Sequence, residues 1–255
     1  MSILHKNKSR KLLTLTKCRD KLYTCKQKNP HERGIIMKKM MKKLALIMSC
    51  VMMVCMLTGC AKFDASAYLQ ALLDNSYKND STALVELGIG TEEEAAAIYE
   101  EGLGTELDAL TATAGISEDQ ADGLKEVMAD LLAGAKYTVG EAEAQDDGSY
   151  IVTVTYEQMN VFGPTIDTYM AETEALVAEW TEAVMAGEEA ASEDELMAEV
   201  IELFGTVLAD SVANATYDEP QTTTVRIEKV DNAYQPNTDD LMNLEYLLFD
   251  SDVAF

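Results

Sequence analysis

Beyond residue 63 the apolar positions follow two periods, one of three to four residues and one of two, and their order along the chain predicts its elements. Asp64 stands where an N-cap belongs, and Ala65, Tyr68, Leu69, Leu72 and Leu73 recur at helical spacing toward Tyr77. Asp80 is placed to cap a short second helix bearing Leu84, Val85 and Leu87, with Gly88 as its left-handed exit. Thr91 and Glu94 form a capping box with Ile89 as staple, opening a helix through Ile98, Tyr99 and Leu103; residues 107–114 stay unassigned. Ser117 and Gln120 form a second box before Leu124, Val127, Met128, Leu131 and Leu132, and Gly134 ends that helix.

The period then shortens to two. Tyr137 and Val139 begin one strand, while Tyr150, Val152, Val154 and Tyr156 share a face of the next, and Asp146, Asp147 and Gly148 turn the hairpin between them. Those acids are read as turn chemistry, because the further ligands of an EF-hand loop are not in register. Gly163 and Pro164 break the pattern. Ile166, Tyr169, Met170, Leu176, Val177, Trp180 and Val184 then trace one helical stripe, closed by Gly187. A third capping box, Ser192 with Glu195, precedes Leu196, Met197, Val200, Ile201, Phe204, Val207 and Leu208. These two stripes predict an antiparallel helical pair packed on the sheet, with Trp180 buried on its apolar face. After Pro220, Val225 and Ile227 alternate with Thr224, Arg226 and Glu228 as a third strand. Asp231 and Asn232 turn the chain, Ala233, Tyr234 and Gln235 add a short fourth strand, and Thr238 caps a last helix carrying Leu241, Leu244, Leu247 and Leu248. The fold class is therefore α+β: a helical N-terminal half, then a small antiparallel sheet (hairpin plus late strand) packed by an antiparallel helix pair and a C-terminal helix.

Residues 37–59 follow a different plan. Lys38, Lys39, Lys42 and Lys43 precede a short apolar run over 44–57, too short for the roughly 20 residues of a membrane-spanning helix. Leu57, Thr58, Gly59 and Cys60 resemble the lipobox of bacterial lipoproteins, which implies cleavage before Cys60 and a diacylglyceryl group on its thiol. Residues 1–36 do not belong to such a signal. Glu32, Arg33 and Gly34 are encodable by a purine-rich run just before the Met37 codon, as in a translated ribosome-binding site, so initiation is expected at Met37 or Met40; the alternative is that 1–36 are an unusually long, disordered n-region. Residues 60–255 then form a single acidic extracytoplasmic domain.

Charge separates the two parts sharply. The leader, 1–59, holds fourteen of the 20 Lys and Arg residues, whereas 60–255 keeps six against 43 acids, a formal charge of −37. Such a surface repels nucleic acid and anionic headgroups, so nucleic-acid partners are excluded. All five cysteines lie at or before Cys60 and both histidines, His5 and His31, lie in the leader. Cys-His and Ser-His-Asp catalysis and Cys/His zinc sites have no residues to use beyond Cys60. No catalytic, cofactor-binding or metal-ligating residue is therefore assigned, and the only attached group expected is the lipid on Cys60.

The segments 60–68 (CAKFDASAY), 71–80 (ALLDNSYKND), 92–95 (EEEA), 136–142 (KYTVGEA) and 238–244 (TDDLMNL) resemble surface lipoproteins of clostridia and related Gram-positive bacteria that carry a domain of unknown function. The resemblance implies a lipoprotein anchored on the extracytoplasmic face of the membrane and carries no active-site residues over. The functional expectation is a non-enzymatic surface module binding an envelope protein, peptide or glycan. The alternatives are a hydrolase using two carboxylates, and weak calcium binding at clusters such as Glu92 to Glu94 or Glu188 and Glu189.

Overall fold

The computed structural model describes residues 63–114, 118–187, 191–230 and 233–249. Its elements run α1 (Ala65–Lys78), α2 (Thr82–Glu86), α3 (Glu92–Ala114), α4 (Glu118–Ala133), β1 (Lys136–Ala144), β2 (Tyr150–Glu157), β3 (Met159–Asn160), α5 (Phe162–Ala186), α6 (Glu193–Ala213), β4 (Thr216–Tyr217), β5 (Gln221–Val230), β6 (Ala233–Pro236) and α7 (Thr238–Leu248). The α+β class and the helical N-terminal half stand as read from the sequence.

Local signals define most helix starts. Asp64 accepts from the Ala67 N–H at 3.0 Å and begins α1, and Asn79, in the left-handed region at φ 53°, ends it. Thr91 and Glu94 exchange both bonds of their box at 2.8 and 3.2 Å. Ser192 and Glu195 do the same for α6. The Ser117 box falls outside the described residues. Two caps differ from expectation by one residue: Ser81 stands at the start of α2, and Asn237, accepting from the Asp240 N–H, replaces Thr238 at α7. Asp80 still accepts from the Thr82 N–H at 3.0 Å. α3 continues through the unassigned 107–114, so a helix already nucleated by its box propagates at one hydrogen bond per added residue.

The main sheet has the order β1-β2-β5-β6, all antiparallel. Gln145 and Ser149 close the hairpin over a three-residue loop, whose Gly148 takes φ 83°, a conformation open to glycine at little cost. β1 bulges between Val139 and Ala142, and the groups exposed there are met by α1: Ser66 donates to the Gly140 carbonyl at 2.7 Å, and Gln70 accepts from the Val139 N–H at 3.4 Å. A free sheet edge is thus blunted by side chains of the neighbouring helix.

α1 and α7 cover one face of the sheet. Val152, Val154, Val225 and Ile227 point to that face and are fully buried, against Leu69, Leu72, Leu73, Leu244 and Leu248. The other face carries Thr138, Thr153, Thr155, Thr222 and Thr224, exposed or half-buried, as the period of two requires. The antiparallel pair α5 and α6 is present, but it does not pack chiefly on the sheet: α6 lies between α5 and α4, and α4 in turn packs on α1. α5 buries only Thr165, Thr173 and Val184. Trp180 is accordingly half-buried, not buried, and its indole N–H donates to Glu199 at 2.9 Å. Its stripe is apolar because it faces α6, yet a single neighbouring helix cannot enclose so large a ring. The period also gave no sign of a second, two-residue pairing, Met159 with Tyr217 and Asn160 with Thr216, joining the chain before α5 to the chain after α6.

Leu69 and Leu72 sit at 0% and 2% exposure between the sheet and the helical layer. Leu69→Ala is expected to lower stability by about 2–5 kcal/mol through lost burial and the cavity left behind, measured as the shift of the urea midpoint at unchanged slope.

Candidate functional site

The backbone brings the C-terminal end of α1 to the open end of the β1-β2 hairpin. α1 runs antiparallel to β1, as its contacts show in succession: Ser66 reaches Gly140, Gln70 reaches Val139, and Asp74 reaches Tyr137. A cleft of about 520 Å³ opens at that end, between Lys78 on one side, Lys136, Tyr137, Thr138, Thr155 and Glu157 along the strands, and Pro220 ahead of β5.

Two lysines border this cleft in a domain that keeps only six bases, and each rests on a tyrosine ring. The Lys78 ammonium lies 4.4 Å from the Tyr137 ring centroid, and that of Lys136 lies 3.5 Å from Tyr217. Ring faces carry the negative end of the aromatic quadrupole, so each contact holds a long flexible side chain in place. Tyr217 is itself fixed from two directions: the small β3-β4 sheet sets its backbone, and its hydroxyl donates to the Gly134 carbonyl at 2.9 Å. Each ammonium also has a carboxylate neighbour. Lys78 meets Asp74 at 3.0 Å along the helix, and Lys136 meets Glu157, its direct cross-strand partner, at 3.4 Å. An ammonium has three donors, so these partners leave both cations capacity for a ligand.

Behind the wall stands a polar cluster. Asp74 accepts from the Tyr137 hydroxyl at 2.7 Å, from Gln70 at 2.8 Å and from Lys78. Burial alone would raise its pKa, but the hydrogen bonds from Gln70, Tyr137 and Lys78 and the Lys78 charge outweigh it and hold the carboxyl below its ordinary range. Tyr137 moves the other way: burial, then the Asp74 hydrogen bond and the Asp74 and Asp80 charges, push its phenol far above the usual tyrosine value. Tyr77, packed against Tyr137 with ring centroids 5.7 Å apart, is raised as well, chiefly by burial. A carboxyl drawn toward its ionised form accepts from the neutral Tyr137 phenol, while the buried Tyr77 hydroxyl beside it has no hydrogen-bond partner among the described residues; a carboxylic general acid needs a raised carboxyl, which Asp74 is not.

Among the acids of the turn and of the clusters considered for calcium, two have other engagements. Glu94 closes the Thr91 cap and Asp147 accepts from Ser149, while Glu188 and Glu189 lie outside the described residues. Among the described residues, no three His, Cys, Asp or Glu side chains gather as a metal site would require. Leu57, Thr58, Gly59 and Cys60 also lie outside them. The cleft escaped the sequence reading because its lining comes from positions as far apart as 78, 136, 157 and 220. One signal was available, the scarcity of bases beyond Cys60, which makes the placing of each of them informative.

Asp74 ionises more readily in the folded chain than in the unfolded one. Its contribution to stability is therefore complete above the unfolded carboxylate value of about 4 and is lost as pH falls through the lower folded value. Asp74→Asn is expected to flatten the acid limb of the stability curve in that window, read from urea midpoints across pH; an acid limb identical to the parent's would contradict the assignment.

No protein-family model and no curated protein matches the chain. Among solved structures it is similar to the crystal structure of YcdA from Bacillus subtilis strain 168, described as a candidate lipoprotein, at 16% identity and a TM-score of 0.48. The likeness covers 73% of this chain and 56% of that one, so the chain spans a little over half the length of its neighbour.

Proposed function

We propose that the protein is a non-enzymatic binding module, anchored on the extracytoplasmic face of the membrane through a diacylglyceryl group on Cys60, that holds an envelope peptide in the cleft at the end of α1. The observation that carries this reading is the cleft itself, with two ring-seated ammonium groups beside threonine hydroxyls and a prolyl wall. Peptide carboxylates suit Lys78 and Lys136, and main-chain amides suit the hydroxyls of Thr138 and Thr155.

The position of the cleft supports tethered capture. Phe63, three residues beyond Cys60, stacks on Tyr234 at 3.9 Å and packs on Tyr68 and Tyr150. The N-terminal end of α1 is thereby pinned at a point only a few residues along the chain from Cys60. The cleft lies at the other end of a 14-residue helix, about 21 Å away at 1.5 Å per residue. A two-chain lipid would hold the module stably on the membrane. Among the described residues no helix is long and apolar enough to cross one.

Titration calorimetry with a panel of short acidic and neutral peptides, and in parallel with chito-oligosaccharides, tests the reading. Peptide binding is expected, weakened about tenfold or more by paired Lys78→Ala and Lys136→Ala, since a hydrogen bond to a charged group contributes about 1.5–3 kcal/mol. Binding of sugars alone, or peptide affinity unchanged by the paired substitution, would overturn it.

A further inference from the structure

The cleft has a neighbour in the chain itself. α7 begins beside Arg226, whose carbonyl accepts from the Asn237 N–H at 2.7 Å, and crosses the apolar face of the sheet to Phe249. Phe249 is 3% exposed, and its ring meets Tyr77 edge-on at 5.9 Å. Tyr77 in turn packs on Tyr137 at 5.7 Å, and the Lys78 ammonium sits over the Tyr137 ring at 4.4 Å. The chain is therefore fixed as far as Phe249, three aromatic contacts from the edge of the cleft. Residues 250–255, DSDVAF, continue from that point and lie outside the described residues.

Reach and character both suit this segment to the cleft. Six extended residues span up to about 20 Å, more than those three contacts laid end to end. Extended backbone puts Asp250 and Asp252 on one side and Val253 and Phe255 on the other. The cleft offers the matching pair of surfaces, ammonium groups at Lys78 and Lys136 and apolar lining at Ala135 and Pro220. Acids already border it, since Asp74 and Glu157 meet the two lysines and the Asp80 charge acts on Tyr137. A free acidic segment would bind weakly for that reason, but attachment at Phe249 supplies an effective concentration of about millimolar without any new contact. Resting on the reading of the cleft as a peptide site, we infer that residues 250–255 occupy it as an internal competitor, Asp250 and Asp252 toward the lysines, so that a partner peptide binds only by displacing them.

The probe is the synthetic peptide DSDVAF, acetylated and amidated, titrated calorimetrically into the full chain and into a chain ended at Phe249. Binding to the shortened chain is expected, with the full chain at least about tenfold weaker because its own segment competes. The paired Asp250→Lys, Asp252→Lys variant keeps the length of the chain and should bind the probe as the shortened chain does. Both variants retain the buried Phe249, so their circular dichroism should match the parent. Lys78→Ala with Lys136→Ala, made in the shortened chain, should weaken the probe about tenfold or more. Two results would overturn the inference and leave the peptide site standing: equal affinity of the probe for the full and shortened chains, or no binding of the probe to a shortened chain that takes up other acidic peptides of the panel. A shortened chain that binds no peptide at all would overturn the peptide site itself, and the inference with it.

Discussion

The constraint on which the structure depends is the burial of α1 on more than one side. Eight of its fourteen residues are buried, including Tyr68, Leu69, Leu72, Leu73 and Tyr77, because the sheet lies against one flank and α3 and α4 against another. An apolar side chain of this size contributes about 1.5–3 kcal/mol when removed from water. A helix enclosed in this way cannot rotate without exposing one set or the other, so its polar positions are as fixed as its apolar ones. That is why Ser66, Gln70 and Asp74, a single row at i, i+4 and i+8, serve as a ladder of contacts along β1.

The cleft follows from this ladder. Its last rung, Asp74 with Tyr137 and Lys78, is the place where the buried frame meets solvent. In a domain with so few cations, Lys78 and Lys136 are held by ring faces as well as by carboxylates. Exposed ion pairs alone contribute about 0–1 kcal/mol each, so the rings do much of the positioning. The outer pair, α5 and α6, obeys a different economy. Its acids are solvated, its apolar row has one main neighbour, and the incomplete cover leaves Met185 and Met197 open.

Legibility of the fold tracked the reach of each interaction. The boxes at Thr91 and Ser192, the Asp64 cap and the Gly148 turn could be read because each is complete within about four residues. β5 and β6 could be read from alternation. Errors began where one apolar stripe had several surfaces to choose from. The pair α5 and α6 was expected on the sheet, but α1 and α7 already occupy its apolar face, and α6 finds α4 instead. Trp180 shares that error, since a stripe shows which side of a helix is apolar and not how completely a neighbour covers it.

The sequence by itself determined where helices begin, where strands alternate, which half carries the charge, and which residue types are absent beyond Cys60. Each of these depends on composition or on partners a few positions apart. The tertiary structure alone decided that α1 is enclosed, that β3 and β4 pair to set Tyr217 beneath Lys136, and that residues 78, 136, 157 and 220 share one cleft. Those outcomes depend on which surface each apolar stripe covers. That choice is made by competition for the same buried area among all the elements at once, and no local window of the chain contains it.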